Sequence, residues 1–330
     1  MPPRVAVILL NWNNYPESMK CLDTLATCTY SNLRVVIVDN GSTDGSGERL
    51  HHQYPQHTYV QTGSNLGFAR GCNAAIKVAL EEPDTMYVLL LNNDSVPRRD
   101  FIEPLVATAE ADPRVGAVSG KVHMHGRRFW YAGGHIRRIS GGVYTRAFGQ
   151  EDVGQFDTPE DTHFVTGGLM LIPRRVVEKV GLLPAQYFFG FEEYDYSITL
   201  RQHGYRLRYE PRSVIYHDGD GSHSNWEPKY LYNSYRNKLI LQQNHLPLSA
   251  ITFPLWRRVF RWYTRLVGGR QRRRMLDRHQ FIKSSLPPSR VFDYAIDEAI
   301  RDHLCGIELD EAALNAFDAR WRHLPTGDSA

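Results

Sequence analysis

The 330-residue chain is poor in cysteine, has no long apolar run and carries no large excess of either charge. Its four cysteines lack CxxC spacing and the density of a secreted disulfide scaffold, which indicates thiols in a reducing compartment. No stretch approaches the ~18 consecutive apolar residues of a membrane span. The apolar run near the start, Val5 to Leu10, is too short for a signal peptide. We therefore expect a cytoplasmic protein that touches a membrane at most from the side, on its inner face.

The near-neutral charge hides an uneven distribution. The formal net charge is +3, and 42% hydrophobic with 23% charged residues is typical of a globular protein, which excludes a disordered chain or a fibre. Nine arginines fall between residues 257 and 278, a stretch that we call the arginine belt and that contains one acid, Asp277. Without it the chain has 30 basic and 35 acidic residues. The sequence is thus a mildly acidic body with one basic segment.

The first part of the chain alternates short β-rich apolar runs with amphipathic stretches. The predicted strands are Val5 to Leu10, Leu33 to Val38, Thr58 to Gln61, Tyr87 to Leu91 and Val115 to Ser119. Several are continuously apolar, which indicates strands covered on both faces and hence a mainly parallel sheet. Helix candidates follow Pro16 and cover residues 45–50 and 68–80. These β-α-β units predict a doubly wound α/β domain that binds ligands at the carboxyl ends of its strands.

The regular alternation then stops. Residues 121–164 are rich in glycine and predict a hairpin-bearing insertion, and Phe164 to Ile172 predicts a strand that leads through Pro173 into a short helix. A further helix is expected from near Glu192 to Gly204, and two short strands from Arg206 to His217, broken at Pro211. After Trp226 the pattern is helical, and the predicted helices cover residues 229–245, 248–267, 273–284, 289–304 and 310–321.

Asparagine and aspartate collect where the predicted strands end. Asn11 follows the first strand, Asp39 the second and Asn92-Asn93-Asp94 the fourth. Such residues also make turns and caps, which is the better reading for Asn13, Asn14, Asp44 and Gly45. Asp39 is different, because a carboxylate at the end of an apolar strand is desolvated unless a group such as a nucleobase imide N–H donates to it. Asp94 suits a hard divalent cation, Mg²⁺ or Mn²⁺, although an Asx turn before Val96-Pro97 is an equal alternative.

Two other segments carry chemistry. The glycine-spaced turn from Gly63 to Asn73 enters a helix whose free N–H groups and positive dipole end can meet an anion, with Arg70 available for phosphate. It is not the dinucleotide fingerprint GxGxxG, which is absent after the first strand. Glu192, Glu193 and Asp195 lie among aromatic residues that raise carboxylate pKa values. Glu193 is expected to face a pocket, whereas helix-dipole stabilisation explains at least one of the three. His217 is either a metal ligand or a structural histidine.

Taken together, these segments resemble a known family. VAVILLNWNN, VVIVDNGSTDGS, GSNLGFARGCN, LLLNNDSVP, TGGLMLIPRRVVEKVGLLP and FFGFEEYDYSITLRQHGYRLRYEPRSVIYH occur in the order and approximate spacing of inverting nucleotide-sugar glycosyltransferases with the GT-A fold. The chain looks most like the bacterial rhamnosyltransferase-like members, over about Val5 to Asn237. The resemblance implies a GT-A glycosyltransferase domain over residues 1–227 and a C-terminal helical region over 228–330.

The resemblance also implies roles for individual residues. It implies that Asp39 binds the pyrimidine ring and that Asp94 and His217 bind the cation. Asn92 stands in place of the first carboxylate of the family's DxD-type motif. It makes Glu193 the catalytic base, with Glu192 as the alternative. The donor-binding set that it implies is Asn11, Asp39, Asn65, Arg70, Asn92, Asn93 and Asp94. Thr166, Gly167 and Gly168 would line the acceptor side.

The implied reaction is inverting transfer of a sugar from a dTDP- or UDP-sugar, with L-rhamnose as the suggested sugar. The acceptor would be a hydroxyl of a cell-envelope glycan or its lipid-linked precursor. Trp256, Phe260, Trp262 and Tyr263 interleave with the arginine belt, a composition suited to an anionic membrane surface. A homo-oligomer contact or a solvated helix face is the alternative. Nucleic acid is not an expected partner, since the rest of the chain is acidic and lacks a recognition motif.

Three other protein classes compete with this reading. A sugar nucleotidyltransferase should carry a Gly- and Arg-rich loop after its first strand, where this chain has Asn-Trp-Asn-Asn. A nicotinamide-dependent dehydrogenase should carry the missing fingerprint. A nonenzymatic glycan-binding module would not need strand-end carboxylates aligned with a base.

Overall fold

The computed structural model of the chain describes residues 1–137, 142–217, 228–246, 253–255, 259 and 289–322. The nine arginines of the belt, the four aromatic residues interleaved with them and the predicted helix 273–284 lie outside these ranges, as does most of the predicted helix 248–267. The described residues belong to two compact units. The first contains residues 1–137 and 142–217, and the second contains the helices that follow residue 228.

The first unit is built on one large sheet and a small hairpin. Its strands are β1 (Arg4–Asn11), β2 (Leu33–Asp39), β3 (Thr58–Gln61), β4 (Thr85–Asn92), β5 (Ser95–Pro97), β6 (Val115–Met124), β7 (Arg128–Tyr131), β8 (Gly134–Ile136), β9 (Val143–Thr145), β10 (Glu160–Asp161), β11 (Leu169–Pro173) and β12 (Arg206–His217). The large sheet has the order β10-β12-β6-β11-β4-β1-β2-β3, with β5 beside β12 and β7 beside β6. The small hairpin pairs β8 with β9.

Strand direction follows the prediction of a mainly parallel sheet. β4, β1, β2 and β3 are mutually parallel neighbours, and β6 runs parallel to β12. β11 lies antiparallel between β4 and β6. The α/β fold class predicted from the sequence is therefore confirmed.

Helices cover both faces of the large sheet. They are α1 (Tyr15–Leu25), α2 (Ser46–Gln53), α3 (Phe68–Leu80), α4 (Ile102–Ala111), α5 (Arg174–Val180) and α6 (Glu192–Gln202). Val5, Val7 and Leu9 of β1 belong to a core that contains residues of α1, α2 and α4, whereas Ala6 and Ile8 belong to a second core with residues of α3, α5 and α6. Both faces of β1 are buried, which is the physical reason for its continuous apolar sequence.

Some sequence expectations differ from the structure. Residues 206–217 form one strand, not two, because a register shift between Glu210 and Val214 accommodates Pro211 without ending the strand. β11 begins at Leu169, so Phe164 to Gly168 is not part of it. Helix α4 was not expected. The glycine-rich insertion does contain the expected hairpin, β8 and β9.

The second unit contains α7 (Pro228–His245), α8 (Ser289–Leu304) and α9 (Glu311–Arg322), close to the predicted bounds. The Tyr232 ring stacks on Phe317 at 4.5 Å, and the Tyr232 hydroxyl donates to Asp302 Oδ2 at 2.8 Å. Arg320 reaches the same Asp302 oxygen at 3.0 Å, so a buried polar contact joins all three helices. In the described parts of the chain, no helix combines the length and the apolarity needed to span a membrane. All four cysteines are free thiols.

Candidate active site

Parallel register brings the strand-end side chains to one edge of the sheet. Asn11 at the end of β1 pairs with Asp39 at the end of β2, and Leu10 pairs with Asn92 at the end of β4. The carboxyl ends of adjacent parallel strands are the usual location of ligand sites in open α/β sheets.

Asn11 is the centre of a buried hydrogen-bond network. Its Nδ2 lies 3.3 Å from Asp39 Oδ1, 3.1 Å from Ser42 Oγ and 2.9 Å from Ser46 Oγ. Its Oδ1 accepts a bond of 2.8 Å from Ser18 Oγ. Since the side chain is fully buried, any effect of Asn11 on a ligand passes through the groups that it positions.

Asp39 is also buried, and the protein itself supplies donors to its carboxylate. Gln61 at the end of β3 donates to Asp39 Oδ2 at 2.6 Å, and Asn11 donates to the other oxygen. A Cβ on Gly47 would lie 2.2 Å from Asp39 Oδ2, so only glycine fits beside it. Burial and the charge of Asp39 raise the pKa of Tyr59 to about 12. Sequence reasoning missed Gln61, although its position at a strand end was a usable signal.

Asn40 joins the end of β2 to the glycine-spaced loop. It donates from Nδ2 to Asn65 Oδ1 at 3.0 Å and accepts at Oδ1 from the Leu66 N–H at 3.1 Å. Asn65 Oδ1 also accepts from the Gly67 N–H at 3.1 Å. This loop is therefore held in shape by two amide side chains, of which Asn40 was not identified from the sequence.

The start of α3 differs at its first residue, Phe68, from the expectation of free N–H groups. The Phe68 N–H donates to the Phe188 carbonyl at 2.8 Å, so this group is already bonded within the protein. Gly67 has φ +81°, and a Cβ there would lie 2.2 Å from the same carbonyl oxygen. Arg70 Nε donates to the Ala185 carbonyl at 2.8 Å. Both contacts fasten α3 to the segment that precedes α6.

The Asn92-Asn93-Asp94 segment is fixed from two sides. The Asn92 N–H donates to the Gly168 carbonyl at 3.1 Å, and Asn92 Nδ2 lies 3.4 Å from His217 Nε2. Asn93 Nδ2 donates to Ser18 Oγ on α1 at 2.7 Å. Asn93 is thus tied to α1, while Asn92 points to the end of β12.

Asp94 and His217 form the pair that fits a divalent cation. Asp94 Oδ1 lies 3.2 Å from His217 Nε2, yet this buried oxygen has no hydrogen-bond partner in the described structure. The His217 ring lies parallel to Trp130, with ring centroids 5.4 Å apart. A carboxylate oxygen and an imidazole nitrogen suit Mn²⁺ or Mg²⁺. Trp130 was not identified from the sequence.

This pair cannot by itself complete a coordination shell. Among the residues that the structure describes, no group of three or more His, Cys, Asp or Glu side chains could hold a metal. A hard cation bound here would take further ligands from substrate oxygens and water, which is the usual habit of Mg²⁺.

Helix α6 presents three carboxylates at its first turn, where the helix dipole favours them. It begins after Gly190 and Phe191, both at positive φ. Asp195 is the structural member, since it accepts a bond of 2.7 Å from the Tyr187 hydroxyl. Glu192 Oε2 and Glu193 Oε2, by contrast, are buried without a hydrogen-bond partner in the described structure.

The environment of the two glutamates changes their acidity. Burial raises the pKa of Glu193 to about 7, although a hydrogen bond to Tyr194 acts in the opposite direction. Burial and the neighbouring charge of Glu193 raise the pKa of Glu192 as well. A carboxylate whose pKa lies near neutrality is a good general base, because it is both available and basic at the working pH.

Residues Thr166 to Gly168 lie between the strand ends and the glutamates. A Cβ on Gly168 would lie 3.1 Å from Asn92 Nδ2, and a Cβ on Gly167 would lie 3.8 Å from Glu193 Cβ. Two glycines therefore leave space beside both Asn92 and Glu193.

The fold and this site define a glycosyltransferase of the GT-A type. The chain belongs to glycosyl transferase family 2, whose family model matches residues 6–181. It is a hexosyltransferase, and the nucleotidyltransferase, dehydrogenase and nonenzymatic alternatives are set aside.

Relatives of known activity agree with this class. The chain is 25% identical to the N-acetylglucosaminyl-diphospho-decaprenol L-rhamnosyltransferase of Mycobacterium tuberculosis over 86% of this chain and 94% of that one. It is also 25% identical to the poly-beta-1,6-N-acetyl-D-glucosamine synthase of Staphylococcus aureus, over 61% of this chain and 47% of that one.

Two solved structures share the fold. The mannosyltransferase PcManGT from Pyrobaculum calidifontis, in complex with GDP-Man and Mn²⁺, is 20% identical with a TM-score of 0.53 over 93% of this chain and 89% of that one. GalNAc-T7 with UDP, GalNAc and Mn²⁺ is 17% identical with a TM-score of 0.55 over 72% of this chain and 47% of that one.

Proposed function

We propose that the protein is an inverting glycosyltransferase that moves L-rhamnose from a dTDP- or UDP-sugar to a hydroxyl of a cell-envelope glycan or a lipid-linked acceptor. The observation that carries the proposal is the placement of Glu193, a half-buried residue with a buried Oε2 and a raised pKa, beside Gly167, whose neighbour Gly168 borders Asn92. The similarity to an L-rhamnosyltransferase over most of both chains supports the choice of sugar and of a lipid-linked acceptor.

Glu193 is the proposed base. In an inverting transfer the acceptor oxygen attacks the anomeric carbon as it loses its proton, so one properly placed carboxylate is sufficient and no covalent enzyme intermediate is needed. Gly167, which leaves room beside Glu193, suits the approach of the acceptor hydroxyl. Glu192 is the alternative base, but its burial against α3, where its charge helps to raise the pKa of the Cys72 thiol, favours a positioning role.

The donor is proposed to lie along the strand ends. Asp39 receives the pyrimidine ring, with Asn11 and Gln61 holding its carboxylate in place. Asn65 shapes the loop that faces the diphosphate. Arg70 keeps one nitrogen on the Ala185 carbonyl, and the rest of its guanidinium would serve the phosphates. Asn92 and Asn93 are the remaining residues of the proposed donor site.

Asp94 and His217 would hold a divalent cation, Mg²⁺ or Mn²⁺. When bound, such an ion supplies charge stabilisation for the departing diphosphate. Both solved neighbours carry Mn²⁺ in their complexes, which supports a metal of this kind. The Asp94 oxygen that makes no hydrogen bond and lies 3.2 Å from His217 Nε2 is the observation in this chain that fits it.

The remaining parts of the proposal concern organisation. We assign residues 1–227 to the glycosyltransferase domain and 228–330 to a helical region. The arginine belt would place the enzyme on the anionic inner face of a membrane, or hold copies of the chain together, and liposome flotation at low salt distinguishes the two.

Radiolabelled transfer tests the reaction. The protein would be incubated with dTDP-L-rhamnose or UDP-sugars, Mn²⁺ and N-acetylglucosaminyl-diphospho-lipid, and the anomeric configuration of the product determined by NMR. Transfer of rhamnose with inversion is the expected result. Transfer of another sugar would contradict the donor assignment, and retention would contradict the single-base mechanism.

A further inference from the structure

A cavity of about 780 Å³ opens in the first unit. This volume lies within the range of about 300–1,000 Å³ that is typical of small-molecule sites. Its walls include Lys121 and His123 of β6, Tyr216 of β12 and Asp152, which lies outside the strands. None of these residues has a role in the transfer proposed above.

The cavity lies behind the strand-end site. Tyr216 and His217 are successive residues of β12, and successive side chains of a strand point to opposite faces. The Tyr216 ring lies 5.4 Å from His123, whereas the His217 ring lies over Trp130. β7 repeats this alternation, since Phe129 contacts His123.

Three buried side chains form the floor. Lys121 Nζ and His123 Nε2 each lie 2.8 Å from Asp152 Oδ2, and the three residues are between 4% and 7% exposed. Burial alone would raise the pKa of Asp152, but the hydrogen bonds from Lys121, the Gly154 N–H and His123 prevail and lower it to about 2. Asp152 is therefore a carboxylate at neutral pH.

His123 offers an unused acceptor. Burial lowers the pKa of His123, which favours its neutral form. If its Nε2 carries the proton that is donated to Asp152, its Nδ1 is left as an acceptor, and this atom is buried with no partner in the described structure. A buried acceptor of this kind fits a hydroxyl donor better than an anion.

The charges around the cavity cancel. Arg98 pairs with Asp100 at 2.9 Å and Arg212 pairs with Glu210 at 2.8 Å. The remaining charged groups are two cations, Lys121 and the exposed Arg127, and two carboxylates, Asp152 and Asp157. The lining itself carries four cationic residues and two carboxylates, and the charges balance once the salt-bridge partners Asp100 and Glu210 behind it are counted.

We propose that this cavity binds an uncharged carbohydrate. Sugar hydroxyls both donate and accept hydrogen bonds, which suits a wall that contains carboxylates, an imidazole ring and guanidinium groups. Tyr216 is 38% exposed and offers an apolar ring face against which the C–H groups of a sugar can pack. The site is distinct from the transfer site. It would hold one part of a glycan chain while the end of that chain lies outside this cavity. The inference goes beyond the proposed function and does not depend on which sugar is transferred.

Saturation-transfer NMR and calorimetric titration test the proposal. N-acetylglucosamine, L-rhamnose and chitobiose serve as probes, and inorganic pyrophosphate serves as an anionic comparison. We expect at least one sugar to bind the full chain, with or without UDP and Mn²⁺. Tyr216→Ala and Arg127→Ala should each weaken that binding about tenfold, a loss of 1.4 kcal/mol. Tyr144→Ala, at a tyrosine 47% exposed on the β8-β9 hairpin, is the matched control and should change nothing.

Several results would overturn the proposal. These are the absence of sugar binding, binding that UDP with Mn²⁺ displaces, equal effects of the Tyr216 and Tyr144 substitutions, and binding of pyrophosphate in place of sugars. Arg127→Ala changes an exposed side chain, so it remains informative if Tyr216→Ala disturbs the fold. Thermal melts of all three variants establish that point.

Discussion

Two halves of the candidate site differ in how their buried polar groups are satisfied. In the hydrogen-bonded half, formed by Asn11, Asp39, Asn40 and Asn65, side chains satisfy one another at 2.6–3.3 Å together with Gln61. In the open half, formed by Asp94, Glu192 and Glu193, each carboxylate keeps a buried oxygen without a hydrogen-bond partner in the described structure. An unsatisfied buried polar group costs about 1–3 kcal/mol. The first half is therefore preformed, whereas the second has oxygens that a proton, a cation or a substrate could satisfy.

Removing the proposed base from the open half should cause the largest loss of activity. Glu193→Gln keeps size and polarity but cannot accept the acceptor proton, so we expect kcat to fall about 10²–10⁴-fold. Nucleotide affinity, measured by calorimetry, should stay within about twofold, because the hydrogen-bonded half is untouched. Glu192→Gln is the matched comparison. If it abolishes transfer while Glu193→Gln remains active, the base is Glu192.

Changing the proposed cation ligand should have the next largest effect. Asp94→Asn removes the negative charge and should raise the Mn²⁺ concentration for half-maximal activity at least about 10–100-fold, the range known for residues that only orient a metal ligand. Asp100→Asn, at an exposed carboxylate six positions on, is the control and should leave the metal titration unchanged. Equal activity of the unmodified protein in a chelator would contradict the metal assignment.

Substitution in the hydrogen-bonded half should lower the stability of the fold. Asn11→Ala leaves Asp39, Ser42 and Ser46 without their shared partner, and we expect a loss of about 2–3 kcal/mol in the free energy of unfolding. Asn14→Ala, at a residue that makes no side-chain capping bond to α1, should cost under about 0.5 kcal/mol. Urea titration of both variants decides the matter. Equal losses would mean that the network contributes little.

A smaller effect should appear in the pH dependence. Because the folded pKa of Glu193 is raised to about 7, its contribution to stability is fully present below the ordinary carboxyl pKa and is lost as the pH rises towards 7. Activity should rise over the same range as the base ionises. Glu193→Gln should remove this stability trend and should be more stable than the unmodified protein at pH 8, where the wild-type carboxyl group is ionised in a desolvated position. Parallel pH profiles of the two proteins would contradict the raised pKa.

Local sequence was sufficient for much of the parallel half of the fold. Continuous apolar runs predicted β1, β2 and β4, and the polar residues that end these strands, Asn11, Asp39 and Asn92, lie at one edge because the strands are parallel. That inference needs only the strand period and the direction of the chain, both of which are local properties.

The remaining contacts join distant parts of the chain, which periodicity cannot predict. Trp130 meets His217 across 87 positions, and Asn40 meets the loop at Asn65 across 25. The hydrogen bond from the Phe68 N–H to the Phe188 carbonyl depends on how α6 packs against α3. The prediction of a strand end at Pro211 was wrong, because a register shift accommodates this proline within the strand, although proline ordinarily ends one.

The contact between Gly67 and Phe188 limits how this enzyme can be re-engineered. The glycine-spaced loop and the segment leading to Glu193 meet with no room for even one methyl group, since a Cβ on Gly67 would lie 2.2 Å from the Phe188 oxygen. A chimera that takes the glycine-spaced loop from one enzyme and helix α6 with its preceding segment from another would have to reproduce this contact on both sides. The two segments are best exchanged together, as a single cassette.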